Sequence, residues 1–193
     1  MSKLNSVAVF CGSAAGNDPA YGAAATALGA GLAADGIGLV YGGGGIGLMG
    51  MVAHAAHQGG GRVVGVMPEF LKQRELPQLD GGELIITDSM HSRKNRMFAL
   101  SDAFVIMPGG LGTLDEMFEI LTWRQLGLHS KPILICDILG SARAWVATIE
   151  AAVAAGFAKP EIRGYYEVLS GVPAVLARLR QLPASPEAGT TRL

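Results

Sequence analysis

Ala103-Phe104-Val105-Ile106-Met107-Pro108-Gly109-Gly110-Leu111-Gly112-Thr113-Leu114-Asp115-Glu116 is the stretch that decides the fold. Ala103 to Met107 is apolar and short enough to be a buried parallel strand, and a helical pattern starts near Leu114. The residues between them therefore form a strand-to-helix turn. Three glycines there expose backbone N–H groups and permit positive φ, and the helix dipole adds partial positive charge, so an anion is favoured. Phosphate is the natural guest, with Gly109, Gly110, Gly112 and Thr113 as its cradle.

The same alternation extends in both directions. Strand-like runs recur at Val7 to Phe10, Gly38 to Tyr41, Arg62 to Met67, Leu84 to Thr87 and Ile133 to Asp137. Helical patterns lie between most of them: from an Asp18-Pro19 start to a stop near Gly36, then Gly47 to Gln58, His91 to Ser101, Leu114 to Leu126 and Ala142 to Ala155. Strands alternating with helices imply right-handed crossovers and an α/β fold, a doubly wound, mainly parallel sheet with helices on both faces. Such sheets bind ligands at the carboxyl ends of their strands. Further on, Tyr165 to Leu169 reads as extended and Val172 to Leu182 as a short helix. Residues 1–182 are expected to form one nucleotide-binding domain, and 183–193, which have almost no large apolar side chain, a disordered tail.

Of the 193 residues, 50% are apolar and 16% charged, with a formal net charge of -1. That balance gives no general attraction to nucleic acid, so an anion must be held locally. The uncharged run from Gly36 to Gly61 is long enough to span a membrane, but its eleven glycines and two histidines suit strand, turn and helix instead. Val7 to Phe10 is too short for a signal-peptide core, which leads us to expect a cytoplasmic protein without a membrane partner. Cys11 and Cys136 are far apart and are expected as free thiols. His54 and His57 stand three apart on a helix, yet no carboxylate or cysteine nearby completes a metal site, and no pyridoxal phosphate lysine motif is present. No metal or cofactor is expected.

Two local ambiguities remain in the residues. Thr113-Leu114-Asp115-Glu116 fits a capping box, with Thr113 as N-cap and Glu116 reaching back to its amide. Alternatively Glu116 is chemical, since a carboxylate beside a phosphate suffers repulsion that a structural residue would avoid. Gly45-Ile46-Gly47-Leu48-Met49-Gly50 also satisfies the dinucleotide fingerprint, with Glu69 roughly 20 residues on. It belongs to the second strand-helix unit, however, and a nicotinamide enzyme is the less favoured alternative.

The run Pro108 to Glu116 matches PGGxGTxxE, and Ser89-Met90-His91-Ser92-Arg93-Lys94 resembles the MHxRK segment, both of the LONELY GUY family. These are cytokinin riboside 5'-monophosphate phosphoribohydrolases, long labelled possible lysine decarboxylases. The resemblance runs from Val7 to about Val168 and includes Cys11-Gly12-Ser13, Tyr41-Gly42-Gly43-Gly44, Gly47-Leu48-Met49-Gly50, Val66-Met67-Pro68 and Trp123-Arg124-Gln125-Leu126-Gly127. It implies a Rossmann-like fold and hydrolysis of the N-glycosidic bond of adenosine 5'-monophosphate-type nucleotides, N6-prenylated or plain AMP. A carrier or sensor of the same fold without chemistry is the alternative.

The resemblance also assigns residues. Glu116 and Arg93 would be catalytic: Glu116 stabilises an oxocarbenium-like sugar or activates water, and Arg93 assists the departing base. Gly109, Gly110, Gly112 and Thr113 anchor the phosphate. Lys94 would support the ligand, Glu75 the ribose, Met90 the base and Thr122 a further contact, with Ser13 and Gly44 at the pocket mouth. Arg96, on Arg93's side of the helix, is a candidate partner for a carboxylate of the site. A homodimer is implied, each pocket completed by the partner. The helix Leu114 to Leu126, apolar on more than one stripe, adds weaker support, with Arg124 and Gln125 near enough to reach an opposite ligand.

Overall fold

The computed structural model describes residues 4–72 and 82–183. Seven strands form one sheet: β1 (Ser6–Phe10), β2 (Gly38–Tyr41), β3 (Val63–Pro68), β4 (Glu83–Thr87), β5 (Ala103–Ile106), β6 (Ile133–Asp137) and β7 (Glu167–Ser170). Their spatial order is β4-β3-β2-β1-β5-β6-β7 and every adjacent pair is parallel. Winding runs outward from β1 in one direction through β2, and from β5 in the other, so the order reverses between β1 and β5. A crevice opens at the carboxyl ends of such a pair.

Alternation along the buried strands sends side chains to two cores. Val7, Val9 and Cys11 of the β1 region face α1 (Pro19–Ala34), α2 (Gly47–Gln58) and α6 (Gly171–Gln181). Ala8 and Phe10 face α3 (Met90–Ala99), α4 (Leu111–Gln125) and α5 (Arg143–Ala154). Local signals explain the helix starts. The Asp18 side chain accepts from Ala20 N, with Pro19 in the first turn of α1. Ser89 and Ser92 exchange side-chain and backbone bonds at the start of α3, a capping box that fixes the direction in which Arg93 leaves the helix.

The main departure from the sequence reading is at α4. The helix begins at Leu111 with Gly110 as N-cap, three residues ahead of the expected start. Gly112 is absorbed into the first turn instead of belonging to the loop. Met117, Ile120 and Leu121 are buried in the core of this chain, and Phe118 and Trp123 pack against it, so most of the apolar surface assigned to a partner is covered internally. Apart from Pro183, the expected tail lies outside the described residues. No helix among the described residues is long and apolar enough to cross a membrane.

Candidate functional site

Three turns meet at the carboxyl ends of β1, β2 and β5 and are bonded to one another. Gly12 N donates to Pro108 O at 3.1 Å, while Leu48 N and Met49 N donate to Gly12 O at 3.0 and 3.3 Å. The approach is so close that a Cβ on Gly109 would stand 2.1 Å from the Thr113 hydroxyl oxygen and 2.9 Å from Gly12 N. This fixes the Pro108–Gly110 turn against the start of α4, whose N-terminal end has no side-chain cap. An anion placed there meets backbone N–H groups and the positive end of a four-turn helix.

The second-strand fingerprint is used differently. The first amides of α2 are taken by Gly12 O. A Cβ on Gly47 would lie 2.3 Å from the Ser13 carbonyl, and one on Gly50 2.2 Å from Gly45 O. These glycines serve the packing of one turn on another. Glu69 lies past the end of β3 on a short 3-10 turn, pairing with Lys72 at 3.7 Å. Both features count against a dinucleotide site.

Beside the cradle lies a buried ion pair. Arg93 Nη1 donates to Glu116 Oε1 at 2.6 Å, and Arg93 Nε donates to Val66 O at 3.1 Å. Glu116 is in the second turn of α4, not at the third helical position, so the capping-box explanation of it fails: the three-residue shift in helix start removes the geometry. Burial pushes the Glu116 carboxyl up, the Arg93 guanidinium pulls it back, and Asp115 adds to the rise; the net direction is upward. Burial outweighs the pull of the helix N-terminus, because the carboxylate has lost most of its water. The charge of Arg93 is balanced by Glu116.

Two adjoining cavities open here. One, of about 190 Å³, is lined by Cys11, Ser13, Met49, Met90, Arg93, Gly110, Gly112, Thr113 and Glu116 among others. The second, of about 380 Å³, lies along Ser13, Gly109, Gly110, Tyr21, Ser141 and Trp145. Ser13 and Gly110 belong to both. The structure thus brings together Ser13, Met90, Arg93, Gly109, Gly110, Gly112, Thr113 and Glu116.

Other expected residues stand elsewhere. Lys94 points away from Arg93, as a 100° step around a helix requires, and binds Asp115 at 3.0 Å and Glu119 at 2.9 Å, tying α3 to α4. Thr122 is exposed, its hydroxyl donating to Phe118 O at 2.7 Å, and neither cavity reaches it. Gly44 is buried in the turn after β2 and lines neither cavity. Arg96 is exposed. Arg124, expected to reach a second subunit, is engaged in its own chain, donating to Lys131 O at 2.9 Å and lying over the Tyr165 ring. Glu75 lies outside the described residues. Among those described, no group of three or more His, Cys, Asp or Glu side chains is placed to hold a metal ion.

Tyr21, Ser141 and Trp145 escaped the sequence reading. Their only signal was position, Ser141 in the turn after β6, Trp145 in the first turn of α5 and Tyr21 in the first turn of α1. Cys11 was read only as a free thiol, yet it lines the smaller cavity; burial and the Glu116 charge hold its thiol far above the usual range, which disfavours the thiolate.

With this geometry in place, comparison with known proteins is informative. The family described as "Possible lysine decarboxylase" matches residues 49–179. A cytokinin riboside 5'-monophosphate phosphoribohydrolase of Oryza sativa subsp. japonica is 44% identical over 162 residues, 84% of this chain and 67% of the relative. One from Arabidopsis thaliana is 42% identical over 181 residues, 94% of this chain and 83% of the relative. Among solved structures, the molybdenum cofactor carrier protein of Chlamydomonas reinhardtii superposes with a TM-score of 0.68 at 22% identity, covering 92% of this chain and 96% of that one. At that identity the likeness shows the fold alone.

Proposed function

The chain belongs to the LONELY GUY family, and from that premise we propose that it hydrolyses the N-glycosidic bond of adenosine 5'-monophosphate-type nucleotides, N6-prenylated or plain. Water and the nucleotide give free base and ribose 5-phosphate. The observation that carries the proposal is the buried Arg93–Glu116 pair opening into the same cavity as the Gly110–Thr113 turn.

Each part has a task. The phosphate sits on the Gly109–Thr113 turn, where amides and helix dipole replace its water and fix the sugar relative to Glu116. The sugar carbon gains positive charge as the bond to the base lengthens. Glu116, ionised and clamped by Arg93, stabilises that charge or takes the proton of the attacking water. The departing base gains negative charge, which the Arg93 guanidinium offsets. Met90 and Met49 supply apolar surface for a planar base. A nucleotide exceeds the smaller cavity, so the ligand extends into the larger one beside Trp145.

The working unit is proposed to be a homodimer. Leu111, Asp115, Phe118, Thr122 and Leu126 share one stripe of α4, on which Leu111 is 85% and Leu126 67% exposed. A symmetric copy of α4 is the simplest cover for it.

Release of ribose 5-phosphate from a panel of nucleoside 5'-monophosphates, against the matching nucleosides, tests the reaction. Turnover of AMP or its N6-isopentenyl derivative, with the nucleosides poor, is expected. Equal rates with and without phosphate overturn it, and tight binding without release makes the chain a carrier or sensor.

A further inference from the structure

Gly42 follows β2 directly, at the head of the glycine run Gly42 to Gly45. Its φ lies outside the left-handed region, unlike Gly43 beside it at 82°, so the backbone at 42 does not demand glycine. What a side chain would meet does. A Cβ on Gly42 would stand 2.1 Å from Arg93 Nη2, 3.3 Å from Arg93 Cζ and 3.0 Å from Met49 Sδ. An arginine tip ordinarily swings aside at little cost. This one is buried, with Nε bonded to Val66 O and Nη1 to Glu116 Oε1, so a rotation that frees Nη2 breaks both bonds.

We propose that Gly42 is a positioning residue for the reaction, its missing side chain forming the seat on which the Arg93 guanidinium rests. This rests on the proposed hydrolysis for its kinetic form. Three contacts then define the guanidinium plane: the Val66 carbonyl, the Glu116 carboxylate and the bare backbone of Gly42. A methyl group at 42 removes the third and displaces the other two. Glu116 stays buried but loses the cation that holds it ionised. The fold has no comparable need of Gly42, since the obstructing atoms belong to side chains and not to the backbone.

The test compares Gly42→Ala, Arg93→Ala and the double variant. Gly42→Ala is expected to lower kcat by about 100-fold, the scale of losing one oriented charge-stabilising group, with KM changed by less than about threefold. The acid limb of its pH–rate profile moves to higher pH. In the Arg93→Ala background, Gly42→Ala has no further effect, because residues acting through one another are not additive. Turnover of Gly42→Ala within about threefold of the parent, or losses that multiply in the double variant, overturn the proposal. If Gly42→Ala does not fold, the double variant, free of the obstruction, folds where the proposal holds and fails to fold where it does not. If the parent releases no ribose 5-phosphate from any nucleotide, the reaction falls separately. Carbon-13 NMR titration of Glu116 then decides the seat: an upward shift in Gly42→Ala supports it and an unchanged titration overturns it.

Discussion

Arg93 Nη1 lies 2.6 Å from Glu116 Oε1 with both side chains under one-tenth exposed, so two charges from different helices neutralise each other at the floor of the cavity. Removing either one leaves the other buried and unpaired, which costs about 3 to 5 kcal/mol where no water enters. Here the cavity admits water, so the low end applies. Arg93→Ala and Glu116→Gln are each expected to lower turnover by about 100-fold or more and to lower the melting temperature. The double variant is less destabilised than the sum. Melting and ribose 5-phosphate release on the same samples check this; a stable, fully active Glu116→Gln protein would remove the residue from the reaction.

The upward shift of Glu116 gives a signed pH dependence. A base must be ionised, so kcat/KM rises with pH through the Glu116 titration, and that limb lies above the ordinary carboxylate value of 4.5. For stability the sign is opposite: a raised carboxyl contributes most below 4.5, and that contribution is lost as pH rises through the folded-state pKa. Asp115 raises the Glu116 pKa and Lys94 lowers it. Asp115→Asn is therefore expected to move the acid limb to lower pH and Lys94→Met to higher pH, measured on kcat/KM between pH 4 and 8. Shifts in the reverse directions would take the limb away from Glu116.

Periodicity made the centre of the sheet legible because β1, β2, β3, β5 and β6 are short buried apolar runs, the mark that parallel strands covered on both faces leave, whereas the edge strands β4 and β7 are half-exposed. That the turns after β1, β2 and β5 would gather at the carboxyl ends of their strands followed from the alternation alone. The start of α1 followed because Asp18 and Pro19 marked it, whereas the Ser89 cap of α3 went unread and that helix was expected from His91, one residue late. At α4 nothing marks the start, because Gly110 caps with backbone only, and Thr113 imitated a cap it does not form. The direction of Lys94 was also hidden: its partners, Asp115 and Glu119, come from a helix whose placement only the fold supplies. Pairings across the sheet, such as Arg93 with Val66 and Glu116, carry no local signal at all.

The crossing of α1 over α2 offers a control away from the site. A Cβ on Gly29 would lie 2.2 Å from Val52 O and 2.9 Å from Ala56 N, both backbone atoms that cannot turn aside. Gly29→Ala is expected to cost about 1 to 3 kcal/mol by overpacking, lowering the melting temperature by several degrees. Its kcat at 25 °C stays within about twofold of the parent, since the crossing is remote from Glu116. Gly47→Ala, with φ at 60° and its Cβ against Ser13, loses stability and activity together, because Ser13 lines both cavities. Equal behaviour of the two variants in activity would detach the β2–α2 turn from the site.

The exposed stripe of α4 bears on assembly. Leu111 stands at the cavity lip and Leu126 at the far end of the helix, with Thr122 one turn before it. Two copies of α4 laid side by side would cover both leucines and place Thr122 of one chain near the other's lip, the one geometry that gives this threonine a ligand-side role. Leu126→Glu puts a charge into that contact without touching the Arg93–Glu116 cavity. Light scattering is expected to give twice the 19.9 kDa chain mass for the parent and the single mass for Leu126→Glu. Activity falls with the dimer if the sites are shared and stays constant if each chain is complete. A parent protein that scatters as a monomer and keeps full turnover on dilution would refute both the contact and the role of Thr122.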